Sequence, residues 1–256
     1  DSSAVTIRLY NVTNGLGQAV AVSDSYTTES AASGKVPYMA AGAAVTGYDI
    51  DLLLLAGMQG VARFKTVAPA VKANIFASEL SMETLTGGYR FRFTLNEASS
   101  ATLLHLQEAG DMAVTKTIDL GPVPKGVNTR DFSFAEMELG EGTYSWSIEA
   151  EASGIDRPMK LSSDGVSQLQ FYSPRGVAVD NSMESKYFGR VYASETIGGA
   201  VTSRTTTDGI YILNSALEDV TLQGATAYGG GVAWAGAGSP MRVSVGEDGW
   251  VYLTDW

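Results

Sequence analysis

Alternation of apolar and polar residues is the dominant pattern in this chain, and it predicts β-strands along most of the length. The opening segment VTIRLYNV alternates with a period of two, and the turn dipeptide Asn14-Gly15 separates it from AVAVSDSYT, so we expect a hairpin there. Small and polar residues at 28–44 predict a long loop. The apolar run at 45–57 fits either a short strand or a helical turn. Residues 1–73 are therefore predicted to form a β-rich segment.

From residue 74 onward, short alternating stretches are separated by turns at regular spacing. The stretch YRFRFTLNE alternates aromatic and charged residues, and GTYSWSIEAE places Tyr144, Trp146 and Ile148 on one face. Within this region DFSFAEME is predicted as a strand and GPVPKGVNTR as a polar connection. About seven short strands in roughly 80–100 residues are typical of an immunoglobulin-like β-sandwich. We predict such a sandwich at 74–160, with those three residues in its core.

The last third of the chain contains an internal repeat. SPRGVAVD at 173–180 is similar to SPMRVSVG at 239–246, and each is followed by a turn and a second similar strand, GRVYASE or GWVYLTD. The strand pattern GIYIL lies between the two copies. Repetition of a small multistranded unit is typical of β-propellers, in which each unit is one blade. Residues 161–256 are therefore predicted to hold one complete repeat and part of another.

These motifs resemble two known kinds of module. The repeats PRGVAVD…GRVYASE and SPMRVSVGEDGWVYLTD resemble the blades of NHL-type β-propellers. The stretches YRFRFTLN, KTIDLG and GTYSWSIEAE resemble immunoglobulin-like modules of secreted multidomain proteins from Bacteroidetes-type bacteria. The resemblance covers roughly residues 74–256 and implies a secreted or cell-surface bacterial protein. A propeller needs about four blades to close, so we expect this chain to be part of a longer protein or to pair its strands with another chain.

Composition supports an all-β fold and excludes several functions. Asp and Glu total 28 against 17 Lys and Arg, a formal net charge of −11 that repels phosphate backbones, so we expect no nucleic-acid partner. The absence of cysteine excludes thiolate metal sites, disulfides and cysteine nucleophiles. The longest apolar run, residues 52–56, is far short of the ~20 residues that span a bilayer, so we expect no membrane span.

Candidate catalytic chemistry is sparse in this sequence. His105 is the single histidine, and strand alternation places it on the face opposite Leu104 and Leu106, which predicts a surface position rather than a general base. No G-x-S-x-G nucleophile motif is present. We therefore predict no catalytic residue in this chain.

Aromatic residues of the repeat region are the main candidates for ligand binding. Aromatic rings stack on the C–H faces of sugars because both surfaces are flat and apolar. Tyr228 and Trp234 lie in a glycine-rich stretch, and Trp250 follows a turn, so these three are the predicted ligand-binding residues. The alternative is that such aromatics pack between neighbouring blades.

Acidic turns of the repeats provide a weaker hypothesis of calcium binding, which needs 6–8 oxygen ligands. The candidates are Asp180, Glu184 and Asp248, although turns favour Asp for backbone reasons alone. No other cofactor is expected.

Three functional hypotheses follow from the sequence. The first is a non-catalytic secreted or cell-surface binding or scaffold protein for a glycan or protein partner. The second is the N-terminal part of a propeller enzyme acting on polysaccharide, with its active site outside this chain. The third is a structural subunit that assembles through exposed strands.

Overall fold

The computed structural model describes residues 75–111, 113, 115–153, 166–221, 234, 236 and 238–255 with their side chains, and elsewhere the backbone of the strands named below. Strands account for 48% of the structure and there is almost no helix, which confirms the predicted all-β class. Within the described part of the chain, no helix has the length and apolar character needed to cross a membrane.

The strands, in chain order, are β1 (Thr6–Ile7), β2 (Tyr10–Asn11), β3 (Val20–Ala21), β4 (Tyr26–Thr27), β5 (Tyr38–Ala44), β6 (Ile50–Leu55), β7 (Val61–Thr66), β8 (Ala77–Leu85), β9 (Gly88–Leu95), β10 (Ala101–Glu108), β11 (Lys116–Asp119), β12 (Gly126–Ser133), β13 (Tyr144–Glu151), β14 (Met159–Lys160), β15 (Pro174–Val179), β16 (Val191–Glu195), β17 (Gly199–Ala200), β18 (Thr205–Thr206), β19 (Gly209–Leu213), β20 (Val243–Val245) and β21 (Val251–Leu253).

The N-terminal strands form small antiparallel sheets. The expected hairpin is present as two short ladders, in which β1 pairs with β4 and β2 with β3. The loop predicted at 28–44 is wrong for its second half, because β5 pairs with β6 in a four-stranded sheet of order β14-β7-β6-β5. Alanine and glycine have low strand preference, but β6 pairs with residues 38–41 and with Ala44 of this segment, across a register shift between Ala41 and Ala44.

Two three-stranded antiparallel sheets occupy residues 77–151, with strand orders β12-β9-β8 and β11-β10-β13. Side chains of the two sheets meet in two hydrophobic clusters. In one, Phe91 of β9 packs with Leu104 and Leu106 of β10, and in the other Phe93 and Leu95 of β9 lie against Ile148 of β13. Trp146 and Ile148 pack against the first cluster as predicted, and the ring of Trp146 lies 5.0 Å from that of Phe91. Alternate burial along β10 confirms that His105 points away from the two leucines.

One predicted strand in this region is replaced by a helical turn. The segment predicted as a polar connection supplies most of β12, and Phe134–Met137 forms the single-turn helix α1 instead of continuing the strand. The reason is a capping box: the Ser133 hydroxyl accepts from the Glu136 backbone N–H, and the Glu136 carboxylate accepts from the Ser133 N–H.

The internal repeat folds as a sheet followed by a hairpin. Strands β15, β16 and β19 form an antiparallel sheet, and β20 pairs with β21 in the second copy. Both faces of the sheet are covered. One face packs on Leu169 and Phe171, and the other packs on Val243 and Val251 of the hairpin.

Close contacts, called the junction below, join residues 76–79 at the start of β8 to the repeat region. Phe76 packs edge-on against Phe188 with ring centroids 4.6 Å apart, and the hydroxyls of Ser78 and Ser215 are 2.9 Å apart in a buried position. Glu79 forms an ion pair with Arg190, in which both side chains are more than four-fifths buried. The two parts of the chain are therefore connected by apolar, hydrogen-bonded and ionic contacts together.

Candidate ligand-binding cleft

A cleft of about 300 Å³ opens at one end of the two facing sheets. It lies where β9 begins, where α1 follows β12, and where β13 begins. Its lining combines aromatic rings, two aliphatic side chains, two glycines and one carboxylate, namely Tyr89, Phe134, Met137, Leu139, Gly140, Glu141, Gly142 and Tyr144. Ligand sites are commonly concave and mostly apolar with few polar groups, and this cleft has that composition at the lower end of their size range.

Local sequence fixes the wall formed by α1. The Ser133 cap begins the helix, and hydrogen bonds from the Ser133 backbone and hydroxyl lower the pKa of the Glu136 carboxyl. Glu138 ends the helix in a left-handed conformation, and its carboxylate accepts from the Lys116 ammonium at 2.6 Å, which lowers the pKa of Glu138. The chain therefore turns abruptly after one helical turn and enters the loop of residues 139–143.

The aromatic walls are partly exposed. Phe134 leaves 51% of its surface accessible, although it packs edge-on against Tyr89 with ring centroids 5.4 Å apart. Tyr144 forms another side of the cleft, and its hydroxyl donates to the Gly140 carbonyl at 3.4 Å. Met137 is almost fully buried and forms the base. The cleft therefore exposes the flat apolar ring of Phe134 to solvent above a buried base formed by Met137.

Polar groups of the cleft lie on its loop side. The Glu141 carboxylate is exposed and has no hydrogen-bond or ionic partner within the described residues. Gly142 lies so close to the Tyr144 ring that an added Cβ would come within 3.2 Å of it and of a Glu108 carboxylate oxygen. A carboxylate beside aromatic rings can accept hydrogen bonds from the hydroxyl groups of a ligand stacked on those rings.

The predicted ligand-binding residues lie elsewhere and apart from one another. Trp250 is 71% exposed on the β20–β21 hairpin, beside the exposed Tyr252. Trp234 is half-buried and packs against the cluster of Ala178, Tyr192 and Val243, which is the packing alternative considered for such aromatics. Tyr228 lies outside the described residues.

The calcium candidates occupy two separate turns. Asp180 is buried where β15 ends, and its carboxylate accepts from the Ser182 N–H and the Ser185 hydroxyl. Glu184 is exposed in the same connection. Asp248 lies in the β20–β21 hairpin, where hydrogen bonds from the Tyr252 hydroxyl and the Trp250 N–H lower its pKa. Within the described ranges, no three His, Asp or Glu side chains are grouped as a metal site would require.

His105 belongs to a polar row on the outer face of the sheet β11-β10-β13. Its Nδ1 lies 3.0 Å from the Thr117 hydroxyl and its Nε2 lies 2.9 Å from the Glu149 carboxylate. Thr117, His105 and Glu149 thus have the order of a nucleophile, a base and an acid in a catalytic triad. They lie side by side on the paired strands β11, β10 and β13. His105 lies on the central strand β10, whose backbone N–H groups are occupied by the ladders to β11 and β13 and are therefore not available to stabilise an oxyanion.

Glu195 is a buried carboxyl at the end of the central strand β16. Its Oε1 accepts from the backbone N–H groups of Tyr172 and Ser173 and from the Thr206 hydroxyl, at 2.8–3.0 Å. Its Oε2 is buried and has no partner among the described residues. Burial raises the pKa of Glu195 above its ordinary value, against the opposing effect of these hydrogen bonds. Glu195 therefore links β16 to Tyr172 and Ser173 before β15 and to Thr206 of β18. Its burial disfavours the ionised form of the carboxyl.

We expect the substitution Glu195→Gln to be better tolerated at pH 7 than at pH 4. Because its folded pKa is raised, Glu195 favours folding below its ordinary pKa of 4.5, and this contribution is lost as pH rises through the folded pKa. Glutamine mimics the neutral form at every pH. Urea unfolding of both proteins at several pH values measures the difference, and a destabilisation that is constant from pH 4 to pH 7 would contradict the expected titration.

Comparisons with protein-family models, with curated proteins and with solved structures found no match to this chain.

The sequence pattern did not reveal the cleft. Alternation correctly placed Tyr89 and Tyr144 on the inward faces of their strands, but both stand at a strand end, where the inward face opens to solvent. The available signals were the capping box at Ser133 and the glycines flanking Glu141, which together predict a helix start and an irregular loop beside two aromatics.

Proposed function

We propose that this chain is a non-catalytic binding or scaffold protein of the bacterial cell surface or the secreted fraction, and that the cleft binds a carbohydrate. The observation that carries the proposal is that the cleft combines the exposed aromatic surface of Phe134 with the Glu141 carboxylate, which has no partner among the described residues. Sugars present apolar C–H faces and many hydroxyl groups, so this combination suits them better than it suits a purely apolar ligand.

The proposal includes two finer statements about fold. An immunoglobulin-like sandwich at 74–160 is supported by two antiparallel sheets whose side chains pack together in two hydrophobic clusters. A propeller-type blade at β15-β16-β19 is supported by the repeated strands and by the hairpin that packs on one face of that sheet. The hairpin also lies very close to the sheet, since an added Cβ on Gly176 of β15 would be 3.0 Å from the backbone nitrogen of Val243 in β20.

A glycan array probed with the whole chain identifies the ligand class. With the strongest array glycan as ligand, we expect Phe134→Ala to weaken binding roughly tenfold, because loss of one stacking ring removes about 1.4 kcal/mol. Phe134 is half exposed, so the fold should tolerate the change. Isothermal titration calorimetry measures the affinity, and circular dichroism checks the fold.

Trp250→Ala is the matched control, because it also removes an exposed aromatic ring but lies on the β20–β21 hairpin. Binding that survives Phe134→Ala and disappears with Trp250→Ala would reject the cleft and restore the earlier prediction. Turnover of any polysaccharide by the chain or by a longer protein containing it would instead favour the enzyme hypothesis.

A second candidate function, assembly through exposed strands, is favoured by the β20–β21 hairpin. In the first repeat, β16 pairs on both sides, with β15 and β19. Its counterpart β21 pairs only with β20 among the described strands, and Trp250, Tyr252 and Leu253 are exposed around it. Sedimentation analysis over a wide concentration range tests this candidate, and a monomer at every concentration would reject self-assembly.

A further inference from the structure

The outer face of the sheet β12-β9-β8 carries two cross-strand rows that differ in one respect. In the first row Arg90 lies between Glu83 and Asp131, and in the second Arg92 lies between Ser81 and Thr129. The same arginine position is therefore flanked by two carboxylates in one row and by two hydroxyls in the other.

The first row shows what this face does with a carboxylate. Arg90 donates from Nε and Nη2 to the two oxygens of Asp131 at 2.8 and 2.7 Å, a paired geometry, and Glu83 lies 3.7 Å away on the other side. The planar guanidinium matches the planar carboxylate in such pairs. The Asp131 interaction lowers the pKa of Asp131 and raises that of Arg90.

The second row lacks that carboxylate. Within the described residues, the guanidinium of Arg92 has neither an ion pair nor a hydrogen bond, although the side chain is exposed beside the same strands. A surface groove of about 440 Å³ runs along both rows, lined by Ser81, Met82, Glu83, Arg90, Arg92 and Thr129. The groove thus offers a guanidinium that lies between two hydroxyl groups and is unpaired in the part of the chain that the structure describes.

The geometry points to a carboxylate-binding site at Arg92, distinct from the cleft. The carboxylate of a small acidic ligand takes the place that Asp131 takes beside Arg90, with its oxygens on the guanidinium and within reach of the Ser81 and Thr129 hydroxyls. Arg90 and Arg92 alternate along β9 with Tyr89 and Phe91, so this groove lies on the opposite face of the strand from the cleft. The site therefore does not depend on carbohydrate binding in the cleft.

The guanidinium of Arg92 and the net charge of the chain favour a small carboxylate as the ligand. A guanidinium fork favours a planar carboxylate over a spherical ion, and the net charge of −11 disfavours anions that lack such a specific contact. Glucuronate is a suitable probe because it carries one carboxylate on a ring with hydroxyl groups, and glucose is its neutral match.

The test is an NMR titration of the whole chain that follows the Nε–H signals of its arginines. We expect glucuronate to shift the Arg92 signal saturably and glucose to leave it unchanged. Arg92→Gln should weaken glucuronate binding at least fivefold, while Arg130→Gln, a control on the neighbouring strand outside the groove, should leave it unchanged. Asp131→Asn frees Arg90 from its carboxylate and should strengthen binding.

Several results would overturn the site. These are equal shifts of Arg92 and Arg130, binding that persists in Arg92→Gln, or a response to glucose as large as that to glucuronate. A saturable response to sulfate without one to glucuronate would also reject a carboxylate ligand. Because Arg92 is exposed, its substitution should preserve the fold, and circular dichroism of each variant verifies this.

Discussion

Substitution of Gly189 by alanine is expected to lower the free energy of unfolding by about 3 kcal/mol. Gly189 has a positive φ of 79°, and an added Cβ would lie 2.6 Å from the Phe76 ring and 3.0 Å from the Ser215 side chain. Left-handed strain costs roughly 1–2 kcal/mol, and overpacking adds typically 1–3 kcal/mol. Urea denaturation followed by tryptophan fluorescence measures the change.

Gly87→Ala separates the two causes. Gly87 has a similar positive φ of 86°, but no atom lies within 4 Å of the position of its added Cβ. It should therefore cost only the backbone strain, about 1 kcal/mol. Equal losses for the two variants would show that the junction at Gly189 is looser than the structure indicates.

The variant Arg190→Met should lose about 3 kcal/mol of stability, because it leaves the Glu79 carboxylate largely buried without its partner. The side chains of Glu79 and Arg190 are only 15% and 18% exposed, and Arg190 also lies over the Tyr187 ring at 3.9 Å. Methionine keeps the apolar stem, so the loss reports mainly on charge and hydrogen bonding. Chemical denaturation at low and high salt measures it.

Arg90→Met provides the comparison, since Arg90 makes a similar pair with Asp131 while 41% exposed. Exposed ion pairs contribute little to stability because water and salt screen them, so we expect a smaller loss for Arg90→Met. A double-mutant cycle with Glu79→Gln isolates the coupling between Glu79 and Arg190. A loss at Arg190 no greater than that at Arg90 would mean that burial adds nothing to the junction pair.

Most strands after residue 74 could be predicted, because packing one face of a strand against a core imposes a period of two on its apolar residues. Phe91 and Phe93 alternate with arginines along β9, and that alternation survives in the burial of the strand. The helical turn at Phe134 could not be predicted from alternation, because its cause is a local hydrogen-bond exchange between Ser133 and Glu136. The strand β5 was missed because its partner, rather than its own composition, stabilises it.

The sites were harder to predict, because each depends on residues distant in sequence. Cleft residues Tyr89 and Phe134 meet only because β9 pairs with β12, and nothing in either segment alone indicates the contact. Likewise, Arg92 differs from Arg90 only through what the neighbouring strands place beside it. The prediction of Trp250 rests on its residue type and its turn, whereas strand register determines which side chains share a surface.

The β8–β9 hairpin has a consequence for the direction of mechanical load. The junction residues Phe76 and Glu79 lie at one end of it, where Ala77 pairs with Leu95, and the cleft residue Tyr89 lies at the other, where Leu85 pairs with Gly88. At about 3.3 Å per residue the hairpin separates them by roughly 20 Å. A pull on a molecule held in the cleft therefore runs lengthwise along this ladder, so that its hydrogen bonds share the force before it reaches the ion pair at Glu79.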